Sequence, residues 1–201
     1  MTAATQQRKR RPGQVEQRNR ILAAAVDVFG IKGSKAVSVS DVCKRAEVSR
    51  DTFYRCFADK DALITALYQT SVNDHIEAVL NASDLDYSDR AWLDRAFDET
   101  IDAILRRHQV AQFLFVESAD PGSHAHRVVH AAFNRAARRM QRWSRQVYGE
   151  APSREYFIAL LVAAQWLVHN AILSGMRPRD VAKAKDVSRQ LFHAAFSGER
   201  G

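Results

Sequence analysis

The sequence has few of the residues that cross-link small or secreted folds. Only two cysteines, Cys43 and Cys56, occur among its 201 residues, too few for a disulfide framework, so we expect packing to hold the core. It also lacks a phosphate-binding P-loop, a G-x-S-x-G elbow, an H-E-x-x-H pair and paired C-x-x-C motifs. Because these motifs carry common catalytic and metal chemistries, we expect no enzyme, no catalytic residues, no cofactor and no metal.

Alternation of apolar and polar residues with a period of two, which indicates strands, is scarce. Apolar residues instead recur every three or four positions, as at Ile21, Leu22, Ala25 and Phe29, which is typical of amphipathic helices. We therefore predict an all-α fold of about nine helices. Turn residues separate the predicted helices, which cover about 15–30, 40–46, 50–57, 60–80, 89–108, 109–118, 124–147, 153–174 and 179–197.

No segment reads as a membrane anchor or a secretory signal. The longest apolar stretch, residues 156–173, contains Gln165, His169 and Asn170, which would be costly at the centre of a bilayer. The N-terminus is polar and then basic, without the apolar segment of a secretory signal. We expect a cytoplasmic protein with no membrane partner.

Positive charge is concentrated in the first third of the chain. The whole chain has a net charge of +7, of which residues 1–61 contribute +6 and residues 62–201 only +1. This asymmetry predicts that the N-terminal part meets a polyanion. We predict a flexible basic arm (1–13), a three-helix DNA-binding domain (14–60) and a larger C-terminal domain (61–201).

Residues 38–57 are typical of a helix-turn-helix motif, with two short helices joined by a tight turn. Ser40 is placed to cap the first helix and Ser49 the second. Phe53 and Phe57, four residues apart, would anchor the second helix to the core and turn its other face outward. The side chains expected at a DNA major groove are therefore Ser49, Arg50, Asp51, Thr52, Tyr54 and Arg55.

Residues 15–67 resemble the DNA-binding domain of the TetR family of regulators. The matching residues are Ile21, Leu22, Ala24, Ala25, Phe29, Gly33, Ser38, Val39, Ser40, Asp41, Val42, Ala46, Val48, Ser49, Thr52, Phe53, Tyr54, Phe57, Lys60 and Leu63. The resemblance implies a dimer on a palindromic operator, with the second motif helix in the major groove. It also implies phosphate contacts at Ser38, Tyr54 and Lys60.

Two positions depart from the family pattern. The turn usually carries glycine where this chain has Glu47, and a non-glycine residue with positive φ costs about 1 kcal/mol. The position before the last phenylalanine is often histidine, where this chain has Cys56. The second departure puts any family contact at Cys56 in doubt.

The C-terminal part predicts a dimer interface and a ligand cavity. Helix 153–174 is apolar on nearly every side and needs cover on more than one face. The resemblance implies that it pairs with helix 179–197 in a four-helix bundle with a second chain; a hairpin buried within one chain is the alternative. Predicted interface residues are Phe157, Leu161, Val168, Val187, Leu191 and Phe196. Trp92, Phe97, Ile101, Phe113, Phe133 and Trp143 could line an effector cavity, although for each of them alone we expect a simple core role more often than a ligand contact.

Two polar clusters have both ordinary and functional interpretations. His126 and His130 stand four apart, a spacing that can hold a metal, and His124 is close by, but no firm carboxylate ligand accompanies them. The arginines between 135 and 145 are expected to form a solvated face, with an acidic effector as the alternative.

Cys56, in the second motif helix, could act as a redox switch.

These patterns together favour a ligand-responsive transcriptional regulator. We expect a repressor that binds a palindromic operator as a homodimer and is released by a small-molecule effector of unknown identity. The rival interpretation is a helical enzyme or scaffold whose basic N-terminus resembles a DNA-binding module by chance. Salt-dependent, sequence-selective duplex binding would separate the two.

Overall fold

The computed structural model describes residues 13–70, Val79 and residues 85–196. These residues form α-helices and no strands, which confirms the predicted all-α class. The chain divides between Leu63 and Ile64 into two compact units. The predicted basic arm, apart from Gly13, and most of the second half of predicted helix 60–80 lie outside the described residues.

The first unit packs three helices around one apolar core. They are α1 (Gln14–Lys32), α2 (Val39–Ala46) and α3 (Arg50–Cys56), and α4 (Lys60–Tyr68) begins in this unit. Ile21 and Phe29 of α1 are buried together with Val42 of α2 and Phe53 of α3. The apolar spacing that predicted α1 thus identified its buried face.

The second unit contains five long helices. They are α5 (Arg90–Arg106), α6 (His108–Ser118), α7 (His124–Tyr148), α8 (Arg154–Leu173) and α9 (Pro178–Phe196). Helix α8 packs against α6, α7 and α9, and α5 packs against α9. Among the described helices, α8 alone is long and apolar enough to cross a membrane, a property that core helices of soluble proteins share.

A cluster of aromatic rings lies in the core of the second unit, together with aliphatic side chains. Tyr87, in the turn before α5, stacks on Phe196 of α9 with ring centroids 4.7 Å apart. Its edge contacts with Trp92 and Trp143 have centroids 5.6 and 5.1 Å apart. Such stacked and edge-to-face pairs stabilise a core beyond simple burial of apolar area. Tyr87 therefore ties its turn to the ends of two distant helices.

A ladder of polar side-chain contacts joins α5 to α9. His193 lies 2.7 Å from Asp94, and Lys185 lies 2.7 Å from Asp102. Between them, Nη1 of Arg189 donates to both carboxylate oxygens of Asp98, each 3.1 Å away. The partners are spaced four residues apart on each helix and run in opposite directions, as expected for antiparallel helices with facing polar stripes.

We predict that Arg189→Met lowers the free energy of unfolding by about 0.5–1 kcal/mol, because it removes the central cation of a charge network. The exposed Lys183→Met, on the same helix, is the matched control and should change stability much less. Denaturant unfolding of both variants measures the difference. At about 1 M salt, where the Debye length is about 3 Å, the Arg189 effect should shrink. Equal losses in both variants, or a loss that salt does not change, would contradict a stabilising ladder.

Candidate functional site

Helix α2 is fixed at its N-terminus by a reciprocal pair of hydrogen bonds. The backbone N–H of Asp41 donates to Ser38 Oγ over 3.2 Å, and the Asp41 carboxylate accepts from the backbone N–H of Ser38 over 2.8 Å. This capping box starts the helix at Val39. The hydrogen bonds from Ser38 also lower the pKa of Asp41. The prediction that Ser40 is the cap was therefore wrong, since Ser38 satisfies the same sequence preference two residues earlier.

The turn between α2 and α3 has the left-handed conformation expected at the family's glycine position. Glu47 has φ 54° and ψ 45°, a region that L-residues with a Cβ occupy at a cost. The next residue, Val48, donates its N–H to the carbonyl of Cys43 over 3.0 Å. The Glu47 carboxylate lies 3.4 Å from Arg20 of α1. The strain expected from the sequence is thus present in the backbone.

Helix α3 is held by one apolar face. Ser49 caps it by accepting the N–H of Thr52 over 3.1 Å, as predicted. Phe53 is fully buried, and its ring centroid lies 5.8 Å from that of Phe57. Arg18 of α1 places its guanidinium 4.5 Å above the Phe57 ring, a cation–π contact that the sequence did not indicate.

The opposite face of α3 is exposed and polar. Arg50 donates to Ser40 Oγ over 2.9 Å and to the Tyr54 hydroxyl over 3.3 Å. Arg55 donates to Thr52 Oγ1 over 3.2 Å. Arg50, Asp51, Tyr54 and Arg55 are exposed and Thr52 is half-buried. The structure thus brings these predicted DNA-facing residues onto one surface, with Arg50 orienting the Tyr54 ring.

Lys60 has a structural role that sequence reasoning missed. Its ammonium donates to the carbonyl oxygens of Ser34 and Val37, over 2.6 and 3.0 Å. These two bonds fix the loop between α1 and α2 next to the Ser38 cap. An ammonium has three protons, so one remains for another acceptor. The phosphate contact predicted at Lys60 therefore stays a prediction, and any test has to allow for the structural bonds.

The two cysteines occupy different environments. Cys43 is buried, and burial raises the pKa of its thiol. Cys56 is half-buried at the end of α3, where its backbone carbonyl accepts from Arg18 over 3.4 Å. A raised pKa disfavours the thiolate that redox chemistry needs, so Cys43 has the character of a core residue.

The second unit contains two adjoining apolar cavities. The first has about 490 Å³ of space, including some open solvent, and is lined in part by Tyr87, Trp92, Phe97, Met140 and Leu161. The second has about 710 Å³ of space, again including some open solvent, with walls that include Ile101, Phe133, Gln165 and Val168. Phe97, Thr100 and Leu161 line both.

Four of the six predicted cavity residues line these walls, namely Trp92, Phe97, Ile101 and Phe133. Phe113 is buried in α6 and lines neither cavity. Trp143 packs against Tyr87 and Tyr148 instead. Tyr87, Met140 and Gln165 were missed, because their contribution depends on how the helices cross and not on helical spacing alone.

The histidine cluster is divided among separate partners. A ring nitrogen of His124 lies 2.7 Å from Thr65 Oγ1, and Nδ1 of His126 lies 2.8 Å from the carbonyl oxygen of Ser118. His126 and His130 stack with centroids 3.9 Å apart, and burial, together with His126, lowers the pKa of His130. Within residues 13–70 and 85–196, no group of three or more His, Cys, Asp or Glu residues could hold a metal ion.

Several predicted interface residues lie inside the chain. Phe157 is 0% exposed, and Val168 and Phe196 are also buried, so their assignment to a dimer interface was wrong. Leu161 lines both cavities. The two remaining residues, Val187 and Leu191, are half-buried. Apolar periodicity identified the helices that carry large apolar surface, but it could not distinguish the face that their own chain covers.

The exposed apolar side chains of α8 form a different stripe. Val162, Trp166 and Leu173 are all exposed, and Trp166 is 63% exposed. Spacings of four and seven residues put the three side chains on one face of the helix. None of these three side chains is among the interface residues predicted from the sequence.

Comparisons with known proteins agree with this geometry. Residues 21–67 match the model of the family described as bacterial regulatory proteins, tetR family. An uncharacterized HTH-type transcriptional regulator of Bacillus subtilis (strain 168) is 33% identical over 90 residues, which cover 45% of this chain and 46% of the relative. This match therefore spans less than half the length of the relative.

Solved structures extend the likeness over most of the chain. A TetR-like transcriptional regulator from Rhodococcus sp. RHA1 has a TM-score of 0.66 and 22% identity, covering 94% of this chain and 100% of that one. The SmeT–triclosan complex has a TM-score of 0.66 and 18% identity, covering 89% of this chain and 90% of that one. At these identities the likeness shows the fold alone.

The capped pair α2 and α3, joined by a left-handed turn, defines the first unit as a helix-turn-helix domain. Residues 21–67 therefore resemble the DNA-binding domain of the tetR family of bacterial regulatory proteins, and the chain shares the fold of a TetR-like regulator.

We predict that Glu47→Gly raises the free energy of unfolding by about 0.5–1 kcal/mol. Glycine occupies positive φ without strain, although its greater freedom in the unfolded chain offsets part of the gain. Glu47→Gln, which keeps the strain and removes the charge, should change stability little, because the pair with Arg20 is exposed. Urea unfolding midpoints at constant m-value measure both. A stabilising Glu47→Gln together with a neutral Glu47→Gly would show that charge and not backbone strain matters here.

Proposed function

We propose that this protein is a cytoplasmic transcriptional repressor that binds a palindromic DNA operator as a homodimer and releases it when a small molecule binds. The observation that carries the proposal is the geometry of α3, which Phe53 fixes by one face while Arg50, Asp51, Tyr54 and Arg55 remain exposed on the other. A short helix held in this way fits the major groove of DNA.

The surroundings of α3 supply complementary charge. Residues 1–61 carry the net +6 of this part of the chain, which would attract the phosphate backbone from either side of the groove. Ser38, Ser49, Tyr54 and Lys60 are proposed to contact phosphates, and Arg50, Asp51, Thr52 and Arg55 to read bases. Because Arg50 already bonds Ser40 and Tyr54, we propose that it sets the angle at which Tyr54 approaches the backbone.

The proposed homodimer forms through the exposed stripe of Val162, Trp166 and Leu173 on α8. Large contiguous apolar patches on a protein surface mark interaction sites, and tryptophan is prominent among residues that anchor interfaces. A two-fold dimer would present two α3 helices to half-sites about 34–36 Å apart on one face of the duplex. Val187 and Leu191 of α9 remain candidates for the edge of this interface.

The effector would enter the cavities between α5, α6, α7 and α8. A ligand there would favour one spacing of the helices that surround it, and a few kcal/mol of preference is enough to shift a two-state equilibrium. Release of DNA follows if the favoured spacing places the two α3 helices out of register with the half-sites. The alternative, a helical enzyme or scaffold, has no reason to prefer one duplex sequence over another.

We predict different consequences for Asp51→Ala and Lys60→Met. Asp51 is exposed in the first turn of α3 and can accept a hydrogen bond from a cytosine amine, so its loss should change the preferred base at one position in each half-site.

Lys60→Met should weaken binding to all duplexes similarly and lower the slope of log affinity against log salt by about 1. Selection from random duplexes and salt titrations with the full chain measure these effects.

Because Lys60 also bonds two carbonyl oxygens, circular dichroism and the melting temperature have to show that the variant is folded. Glu16→Gln, at an exposed site at the start of α1, is the control and should leave the selected sequence unchanged. An identical selected motif for Asp51→Ala and the parent would remove Asp51 from base reading. An unchanged salt slope for folded Lys60→Met would remove the proposed phosphate contact.

We predict that Trp166→Glu shifts the protein from dimer to monomer, because it places a charge in the proposed apolar interface without touching the core of the chain. Sedimentation equilibrium at micromolar concentration measures the shift, and duplex binding should lose its preference for a full palindrome over a half-site. Val147→Glu, at an exposed apolar position on α7, is the matched control and should remain dimeric. A dimeric Trp166→Glu, or a monomeric parent that binds the palindrome tightly, would overturn the interface.

A further inference from the structure

One residue in the wall of the first cavity, Tyr87, carries a buried hydroxyl group without a hydrogen-bonding partner among the described residues. Tyr87 is 3% exposed and lines this cavity. Its hydroxyl oxygen is buried and bonds no group in the described part of the chain. A buried polar group without a partner is uncommon in folded proteins and costs about 1–3 kcal/mol, so its persistence calls for an explanation.

The walls around this hydroxyl group carry no charge. The described residues that line the two cavities include no Lys, Arg, His, Asp or Glu. The Thr100 hydroxyl, which lies in both walls, already donates to the carbonyl of Ala96 over 2.7 Å. Beside the indole N–H of Trp92, Tyr87 supplies the wall of the first cavity with a buried hydroxyl that bonds no described residue, and the Gln165 side chain adds an amide to the wall of the second.

The sequence of α7 explains why the walls are neutral. Val129, Phe133, Ala136 and Met140 line the cavities at spacings of three and four residues, which is one face of the helix. The exposed arginines at 135, 138, 142 and 145 fall on the opposite face. Arg139, at the flank, is close enough to oppose the rise that burial causes in the pKa of Tyr87, but it is not among the lining residues.

We propose that the first cavity binds an uncharged, largely apolar molecule whose single hydrogen-bonding group pairs with the Tyr87 hydroxyl. The inference rests on the proposed effector-binding role of the second unit and names the chemical class of the effector. An anionic ligand would leave water for apolar walls without a partner charge, which is costly. A purely apolar ligand would fit but would leave the hydroxyl group unpaired. Because burial keeps the Tyr87 phenol protonated, it can serve as donor or acceptor.

The test uses three probes of one shape: para-propylphenol, propylbenzene and para-propylbenzoate. Calorimetric titration of the full chain at neutral pH, without DNA, measures their affinities. We expect the parent protein to bind the phenol about fivefold tighter than propylbenzene, the ratio of one net hydrogen bond, and to bind the benzoate more weakly than either. Tyr87→Phe removes only the hydroxyl and should reduce the preference for the phenol to within about twofold.

Ser188→Ala is the matched control, since it also deletes a buried hydroxyl that has no partner in the described residues, but one outside both cavities. It should keep the preference of the parent. If the benzoate bound more tightly than the phenol, the proposal of an uncharged effector would be overturned, and Arg139 would be the candidate partner of the carboxylate. A phenol preference that survives in Tyr87→Phe would overturn the role of the hydroxyl group, and binding of none of the three would overturn the inference as a whole.

These outcomes are separate from those of the proposed function. A chain that binds a palindrome but none of the three probes keeps its DNA-binding role and loses this effector class. If the chain binds the phenol through Tyr87 but shows no selective duplex binding, the proposed ligand site stands and the proposed role as a transcriptional regulator is overturned. Adding the phenol to the palindrome complex tests the link, since release of DNA is expected from the parent and not from Tyr87→Phe at a concentration that saturates only the parent.

Discussion

A helix of seven residues cannot hold its own shape in water, and this constraint governs the first unit. Nucleation of a helix is costly, so isolated helices shorter than about 12–15 residues are marginal even with favourable sequences. Helix α3 has seven residues and α2 has eight. They persist because Phe53 is buried against the core and because Ser38, Asp41 and Ser49 satisfy N–H groups at their ends. The recognition surface is therefore as rigid as the packing behind it.

The same constraint explains why Lys60 and Glu47 matter although neither is in the core. The two bonds from Lys60 hold the loop that delivers Ser38 to its capping position. Glu47 keeps the sharp reversal between the helices at the expense of backbone strain. Strained residues persist where the surrounding structure determines their conformation. Here the caps and the buried phenylalanine impose that conformation, so the family's glycine is preferable at this position but not required.

Burial could be predicted from the sequence where the spacing of residues within one helix determines it. It could not be predicted where the packing of two helices determines which face is covered. The repeat of apolar residues in α1 and the Phe53–Phe57 pair predicted burial correctly, since spacing within one helix fixes its faces. Ser40 was chosen as a cap because serine preference alone cannot locate the first turn of a helix. Phe157 was assigned to an interface because α8 is apolar all round, and only the positions of α7 and α9 reveal which face stays open. Tyr87 was not predicted as a cavity residue because it lies in a turn, outside any periodic pattern of apolar residues.

Charge segregation along α7 links these observations to the chemistry of the second unit. The helix has 25 residues with six arginines and no acidic residue, a composition that would suggest an anion-binding cavity if the faces were ignored. Helical geometry separates the two properties, because residues that differ by about half a turn point in opposite directions. The cavity receives Val129, Phe133 and Met140, and the arginines that alternate with them reach solvent. A long helix can therefore be strongly basic as a sequence and still present an apolar wall, so ligand chemistry has to be argued from the facing side chains and not from the charge of the element that carries them.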